Sequence, residues 1–477
     1  MKQNAENERR KFIKNLIALG SLTIIPSHYV LGRTYSVKGN RPLPPSEKIN
    51  LACCGIGNRG KEVIYNLYQT GLVNIVALCD TDMGAPQTED VLRKFPDVPR
   101  FQDFRKMFDK MVNQIDAVSI ATPDFSHFPV AMLAMSLGKH VYVEKPLAHT
   151  FHEIELMMKA EKKYGVAAQM GNQGHSEANY FQFKTWTEAG IIRNVTKIIA
   201  HMNSSRRWHG MNVTGYLDEQ PIPDTLDWDV WLGTAQYHKY NKGYVNGEWR
   251  SWYDFGNGAL GDWGAHIFDT AHEFLKLGLP EEIKALKIEG YSPYIFPQAS
   301  TLMFKFPARD GMPPVEMTWY DGINNFPPLP DEYGDAVETK DVPSPSKGTI
   351  MSKKLSPGKI IYGEGLTFKG GSHGSTLKKI PEWKMKEMEG KLPEVPLSSS
   401  NHYANFLLAC KGQEKCRSSF DVAGPLSQVM MLGVIAQRLN TSFRFNIKKK
   451  KIVGNKLANK LLVGPPPRKG WEEFYRL

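Results

Sequence analysis

Three glycines, Gly55, Gly57 and Gly60, close the apolar run that ends at Cys54 and open a segment with helical spacing. Each has a physical use in a phosphate-binding turn. Gly55 permits the tight bend, Gly57 lets the backbone approach a pyrophosphate, and Gly60 lets the following helix pack close to the strand. Asn58 and Arg59 lie inside the turn, and the helix that follows aims free N–H groups at an anion. Asp80 lies twenty residues past Gly60, at the end of the next apolar run. A carboxylate there accepts hydrogen bonds from ribose hydroxyls and repels a 2′-phosphate, so NAD is expected over NADP. Arg59 pulls the other way, since a guanidinium could hold that phosphate. The competing reading is a strand–turn–helix with no ligand. Two further sets of residues carry acid/base chemistry. Lys145 follows the apolar run His140–Val143, where desolvation lowers an amine's pKa. Asp262 and His266 are four apart, on one face of a helix, where imidazole can take a proton near neutral pH. The plain alternatives are a surface lysine, a capping Asp and a packed His.

These residues need elements to hold them. Apolar strands are expected at 49–54, 74–80, 115–122, 140–146 and 166–171, with helices at 60–70, up to Lys94, 103–112, 129–137 and 151–164. Strands alternating with helices imply a doubly wound parallel sheet covered on both faces, a Rossmann domain over residues 48–171. After residue 190 the strands lengthen and lose their intervening helices. Segments such as Ser300–Pro307 and Val315–Gly322 predict an open, mostly antiparallel sheet in an α+β domain over 172–477. The Pro-, Gly- and Lys-rich stretch 323–358 reads as a loop insertion, and Lys448–Lys451 as a solvated turn. Softer candidates for substrate contact are Asn172, Gln173 and His175 after the fifth strand, Arg206 and Trp208 after a second-domain strand, and Arg250 and Trp252 before the Asp262 helix. Rings beside polar groups suit sugars, although aromatic residues also build cores.

"ATPDFSHFP" and "GKHVYVEKPLAHT" make the chain resemble the Gfo/Idh/MocA oxidoreductases, the glucose–fructose oxidoreductase and inositol dehydrogenase group. The shared marks are the glycine turn, the T-P-x-x-x-H step at Thr122, Pro123 and His127, and the E-K-P strand end at Glu144, Lys145 and Pro146. "GALGDWGAHIFDTAHEFL" is similar to the family's segment with Asp262, His266 and Asp269 in step. "QMGNQGHS" and "LDWDVWLGTA" resemble the exported bacterial branch. The resemblance implies a Rossmann domain followed by an open-sheet domain and a tightly held nicotinamide cofactor. It implies cofactor contacts from Thr122, Pro123, His127, Glu144 and Lys145, and a coupled acid/base pair of Lys145 and His266 aided by Asp262, with Asp269 structural. Which of the pair is the principal base stays open. The implied activity is hydride transfer between NAD and a secondary alcohol of a sugar, glycoside or polyol. The alternatives are a glycoside hydrolase or lyase working through a transient keto-sugar, and a non-catalytic nucleotide-bound protein. By analogy a dimer or tetramer is expected.

The chain has 477 residues, 41% of them apolar, enough for two domains. Its net charge of +11 sits at the ends: residues 1–48 carry +6 and 444–477 carry +8, which leaves the body at about −3. Nucleic acid is therefore not an expected partner. The five cysteines make no disulfide framework, and no Cys/His spacing suits a metal. Arg9, Arg10, Phe12 and Lys14 precede a short apolar run, Asn15–Ile25, the layout of a twin-arginine-type leader. A leader over 1–33, a linker over 34–47 and a periplasmic or otherwise exported location are the expectation, with no integral membrane span beyond the leader.

Overall fold

The computed structural model describes residues 45–203, 213–330, 333, 355–381, 383–388, 390–396, 398 and 400–477. The expected leader, most of the linker, and Arg206 and Trp208 lie outside the described residues.

The first sheet has six parallel strands: β1 (Ile49–Cys54), β2 (Val73–Cys79), β3 (Arg100–Phe101), β4 (Ala117–Ile120), β5 (His140–Val143) and β6 (Ala168–Met170). Their order is β3-β2-β1-β4-β5-β6, with the strand order reversing at β1 and β4, where such sheets bind ligands. Cys54 pairs with Cys79 and Cys53 with Ser119 in register, so the cysteines serve as small core residues. All five cysteines are free. Five helices connect the strands: α1 (Arg59–Gln69), α2 (Glu89–Lys94), α3 (Phe104–Met111), α4 (His127–Ser136) and α5 (Phe151–Tyr164). The apolar spacing of α1 buries Val63, Ile64 and Leu67. At α5, Thr150 and Glu153 form a reciprocal capping box, and left-handed Gly165 ends the helix. The parallel sheet is as expected; the two-residue edge strand β3 carried no apolar signal.

The second sheet has nine strands: β7 (Lys197–Met202), β8 (Glu282–Glu289), β9 (Ala299–Phe306), β10 (Val315–Asp321), β11 (Gly358–Tyr362), β12 (Thr367–Gly371), β13 (Lys378–Ile380), β14 (Phe443–Asn446) and β15 (Lys451–Ile452). Their order is β13-β12-β11-β7-β10-β9-β8-β14-β15. Only β7 and β10 run parallel, so the sheet is mostly antiparallel, as expected. Strands β11 to β13 were not anticipated. β12 carries Lys369, Gly370 and Gly371, poor strand formers taken alone, and is held by pairing with β11 on one side and β13 on the other. The insertion expected at 323–358 ends one residue sooner, because Gly358 opens β11; residues 331, 332 and 334–354 lie outside the described residues. The lysine run turns at 447–450 and Lys451 opens β15.

Helices α6 (Ala178–Glu188), α7 (Trp228–Leu232), α8 (Gly258–Ile267), α9 (Asp269–Phe274), α10 (Trp383–Glu387), α11 (His402–Cys410) and α12 (Phe420–Leu439) complete the fold that positions the site. Every residue of α8 is buried, because α12 lies along it and the second sheet packs nearby. One apolar core runs from Val143 and Met170 through Trp263 and Met430 to Phe304 and Trp319. A separate aromatic cluster, including Trp228, Trp231, Tyr244, Trp249, Trp252 and Phe255, closes around Phe125. It is tied to the end of β2: Asp227 donates its backbone N–H to the Thr81 carbonyl at 2.8 Å, and Thr225 donates its hydroxyl to Asp82 at 2.7 Å.

Candidate active site

A cleft of about 950 Å³, counting the solvent at its mouth, opens over the ends of β1, β2 and β4. Gly55, Gly57, Asn58, Arg59, Asp80, Thr122 and Pro123 line it. The glycines have steric reasons to be there. Gly55 has φ +79°, and a Cβ on it would stand 2.6 Å from the Ala121 carbonyl group. A Cβ on Gly60 would overlap the Gly55 carbonyl oxygen, so α1 can approach the turn only through glycine. Asp80 accepts from the Ile56 N–H at 2.9 Å and the Asp82 N–H at 3.2 Å, which joins the end of β2 to the glycine turn. Burial raises its pKa. The Thr122 hydroxyl is buried with no partner among the described residues, as a group awaiting a ligand would be. Bare glycine backbone, an acid at the end of β2 and an orphaned hydroxyl together fit a dinucleotide.

Arg59 does not face Asp80 as a free cation. Its guanidinium donates to Glu62 at 2.6 Å, Glu144 at 3.1 Å and Tyr403 at 3.2 Å. The expected pull toward a 2′-phosphate is countered by these three partners. Glu144 and His127 are not among the cleft-lining residues. Glu144 is buried and accepts from Arg59, from Gln173 at 3.0 Å and from the Lys145 N–H at 3.4 Å. His127 places Nδ1 2.9 Å from the Pro146 carbonyl and Nε2 2.9 Å from the Thr122 carbonyl. Burial pushes its pKa down to about 4, so at neutral pH it has one proton to donate between two carbonyls. Both residues hold the turn after β5 in place, with their polar atoms engaged within the protein.

That turn delivers Lys145 to α8. Its Nζ lies 2.5 Å from Asp262 Oδ1 and 3.1 Å from the Asp262 carbonyl, and both side chains are about nine-tenths buried. Burial lowers the Lys145 pKa against the opposing pull of Asp262. One turn along α8, His266 is 3% exposed, and neither ring nitrogen has a hydrogen-bond partner among the described residues. Burial first, then His373 and Lys145, hold its pKa well below the ordinary imidazole value. The site thus holds a buried ion pair beside a neutral imidazole with open lone-pair capacity, an arrangement able to take up or release a proton. Among the described residues no group of three His, Cys, Asp or Glu side chains is placed to hold a metal ion.

The softer candidates divide. Asn172 donates to Asp269 at 2.9 Å and accepts from Ser418 at 2.7 Å. His175 lies 2.7 Å from Asp269 and 3.0 Å from Glu273, fully buried. Burial opposes its charge, but Asp269 and Glu273 override that and raise the pKa to about 10. Asn172 and His175 thus join a buried network around Asp269. Gln173 donates to Tyr142 and Glu144, so it too supports the turn after β5. Trp252 is fully buried in the aromatic cluster and donates to the Gly243 carbonyl at 3.1 Å, so it is core rather than a sugar platform. Arg250 does line the cleft, its guanidinium 4.2 Å from the Trp249 ring, which lines the cleft with it. The residue most clearly missed is His373, whose ring stacks on His266 with centroids 3.8 Å apart. Its only signal was its setting among glycines and serines in "GGSHGS".

Comparison with known proteins matches both domains. Residues 49–172 match the model of the oxidoreductase family's NAD-binding Rossmann fold, and residues 182–289 match the same family's C-terminal alpha/beta domain. A glycosyl hydrolase family 109 protein 2 from Shewanella sp. (strain ANA-3) is 27% identical over 39% of this chain and 48% of its own length. An inositol 2-dehydrogenase from Salmonella typhimurium is 27% identical over 38% of this chain and 54% of its own. The chain spans about half the length of these curated relatives. Among solved structures, the WlbA dehydrogenase from Bordetella pertussis, in complex with NADH and UDP-GlcNAcA, superposes with a TM-score of 0.55 at 16% identity, over 84% of this chain and 98% of that one. That likeness concerns the fold. Both domains are thus matched, in order, by models of the Gfo/Idh/MocA family of NAD-binding oxidoreductases.

Proposed function

We propose that the protein oxidises, or in reverse reduces, a secondary alcohol of a sugar, glycoside or polyol against NAD. The observation that carries this reading is the Lys145–Asp262 ion pair, formed across 117 residues beside a neutral His266. Gly55, Gly57 and the start of α1 would hold the pyrophosphate, and Asp80 the adenosine ribose, where its charge disfavours NADP. Thr122 and Pro123 would line the path toward the reactive ring. When bound, nicotinamide supplies the hydride acceptor. The chain's own residues manage the proton. Asp262 orients the Lys145 amine, and an ammonium there stabilises the oxygen as it develops negative charge. His266 is open to the hydroxyl proton, and the two act as a coupled pair. The sugar class is supported by Trp249 and Arg250 in the cleft wall. Curated relatives carry the names inositol 2-dehydrogenase and glycosyl hydrolase.

The hydrolase relatives favour a second reading, cleavage of a glycoside through a transient keto-sugar. A panel of glycosides separates the two. A rise in reduced-nicotinamide absorbance without bond cleavage supports the dehydrogenase; cleavage without net reduction supports the second reading. Neither signal with any member, in protein that binds NAD, removes both. Export through a leader at residues 1–33 completes the proposal; recovery of the protein only from the cytoplasmic fraction of a native host would overturn that part.

A further inference from the structure

We propose that His373 is a positioning residue for His266: the stacked second imidazole, rather than a carboxylate, fixes the plane of the acid/base ring and keeps it uncharged. This rests on the reading of His266 as an acid/base group.

A working imidazole base usually has its ring fixed by a hydrogen bond from one nitrogen to a carbonyl or carboxylate. His266 has neither among the described residues. The carboxylate nearest along its own helix, Asp262, is engaged by Lys145. His373 supplies the missing constraint. The two rings lie 20° from parallel at 3.8 Å, so each limits the other's tilt. His373 is itself held firmly. Ser372 shares a hydrogen bond with its Nδ1 at 2.9 Å. The Trp263 ring stands edge-on to it at 5.7 Å and 85°. The turn at Gly174 leaves no slack, because a Cβ there would come within 2.6 Å of the His373 carbonyl carbon. The backbone at His373 has φ +52°, a left-handed conformation that non-glycine residues adopt uncommonly, histidine among the better tolerated. Strain of this kind persists where the surroundings over-determine a side chain's place.

The electrostatic consequence follows from the groups that face His266. Lys145 comes from the turn after β5, Arg59 from α1 and His373 from the turn after β12; Asp262, on α8 itself, is the opposing anion. The side of β7 that joins this core presents Ile198, Ala200 and Met202, none of them titratable. Asp269, on the next helix, is taken up by Asn172 and His175. Two imidazolium rings at this separation in a buried site repel strongly, so the pair carries at most one positive charge. With Lys145 carrying charge beside it, the pair stays neutral and His266 keeps the lone pair that a substrate proton needs.

The test is the titration of His266 by NMR of labelled imidazole, assigned by difference with His266→Asn, in the full-length protein without substrate. His373→Phe keeps the stack and removes the second titratable ring. His373→Asn tolerates the left-handed backbone and removes the stack. Both should raise the His266 midpoint, by roughly one pH unit, and move the acidic limb of kcat/KM upward with it. His373→Asn should also lower kcat about tenfold through lost orientation, while His373→Phe retains it. An unchanged His266 midpoint in both folded variants overturns the proposal; if one variant fails to fold, the other decides. Because the titration needs no substrate, it stands or falls separately from the assigned activity.

Discussion

The cofactor cleft and the proton-transfer cluster are built in opposite ways. The cleft is local: its turn comes from one contiguous stretch, Asn50–Gly60, with Asp80 at the next strand end. The turn presents backbone and small side chains, with Trp249 and Arg250 on the opposite wall, and glycine is required by the close approach of neighbouring carbonyls. The cluster is convergent. Lys145 arrives from the first sheet, Asp262 and His266 from α8, and His373 from the far part of the second sheet. Its members are side chains buried among one another, with charges balanced pairwise. A region of the first kind binds whatever fits its backbone; a region of the second kind works only if distant elements close to within an ångström. Substitutions should therefore separate binding from turnover.

The largest separation is expected from Lys145→Ala. Turnover should fall by about 10³-fold or more, while NAD affinity by fluorescence titration changes by less than about tenfold; equal losses in both would merge the two regions. Gly60→Ala is the converse. The added methyl must displace the Gly55 carbonyl, so NAD binding should weaken by about 100-fold or more, or the first domain should lose stability outright. Wild-type affinity in a folded Gly60→Ala protein would contradict the local account of the cleft. Asn172→Ala probes a network that belongs to neither region. It strands Asp269 and Ser418 and should cost about 1–3 kcal/mol in denaturant unfolding, with NAD affinity untouched. Asp80→Ser should narrow the preference for NAD over NADP by about tenfold, the smallest of these effects.

His175 gives the comparison a pH axis. Its folded pKa, about 10, is raised above the unfolded value near 6.5. The folded state thus holds a proton that the unfolded chain releases. The stabilisation is complete below about pH 6.5 and is lost as the pH rises toward about 10. Unfolding free energy measured across that window should decline, and His175→Asn should flatten the decline. A wild-type profile that rises through the same window would contradict the ion pairs drawn around Asp269.

What could be read from sequence follows the same division. The parallel sheet was legible because its strands are buried on both faces and show as apolar runs; the two-residue edge strand β3 was not. Asp262 and His266 share α8, as their spacing of four implied, and the family resemblance singled them out. His373 was invisible, because β12 owes its existence to pairing with β11 and β13 rather than to its own Lys and Gly residues. The buried partners of Asn172 and His175 were hidden for a related reason. Their partners, Asp269 and Ser418, lie 97 and 246 residues ahead of Asn172, where no local spacing points to them. Glu144 and His127 were assigned to the cofactor through the family resemblance, and no local spacing showed that their polar atoms reach Arg59, Gln173 and the Pro146 and Thr122 carbonyls.

The most direct measurement is a single-turnover experiment with NAD-loaded protein and the first sugar or glycoside that gives a signal, comparing wild type with Lys145→Ala at matched NAD occupancy. The reduced-nicotinamide absorbance should appear in the wild type and be slowed by about 10³-fold or more in the variant. An undiminished rate in Lys145→Ala would contradict proton transfer at the meeting of β5 and α8.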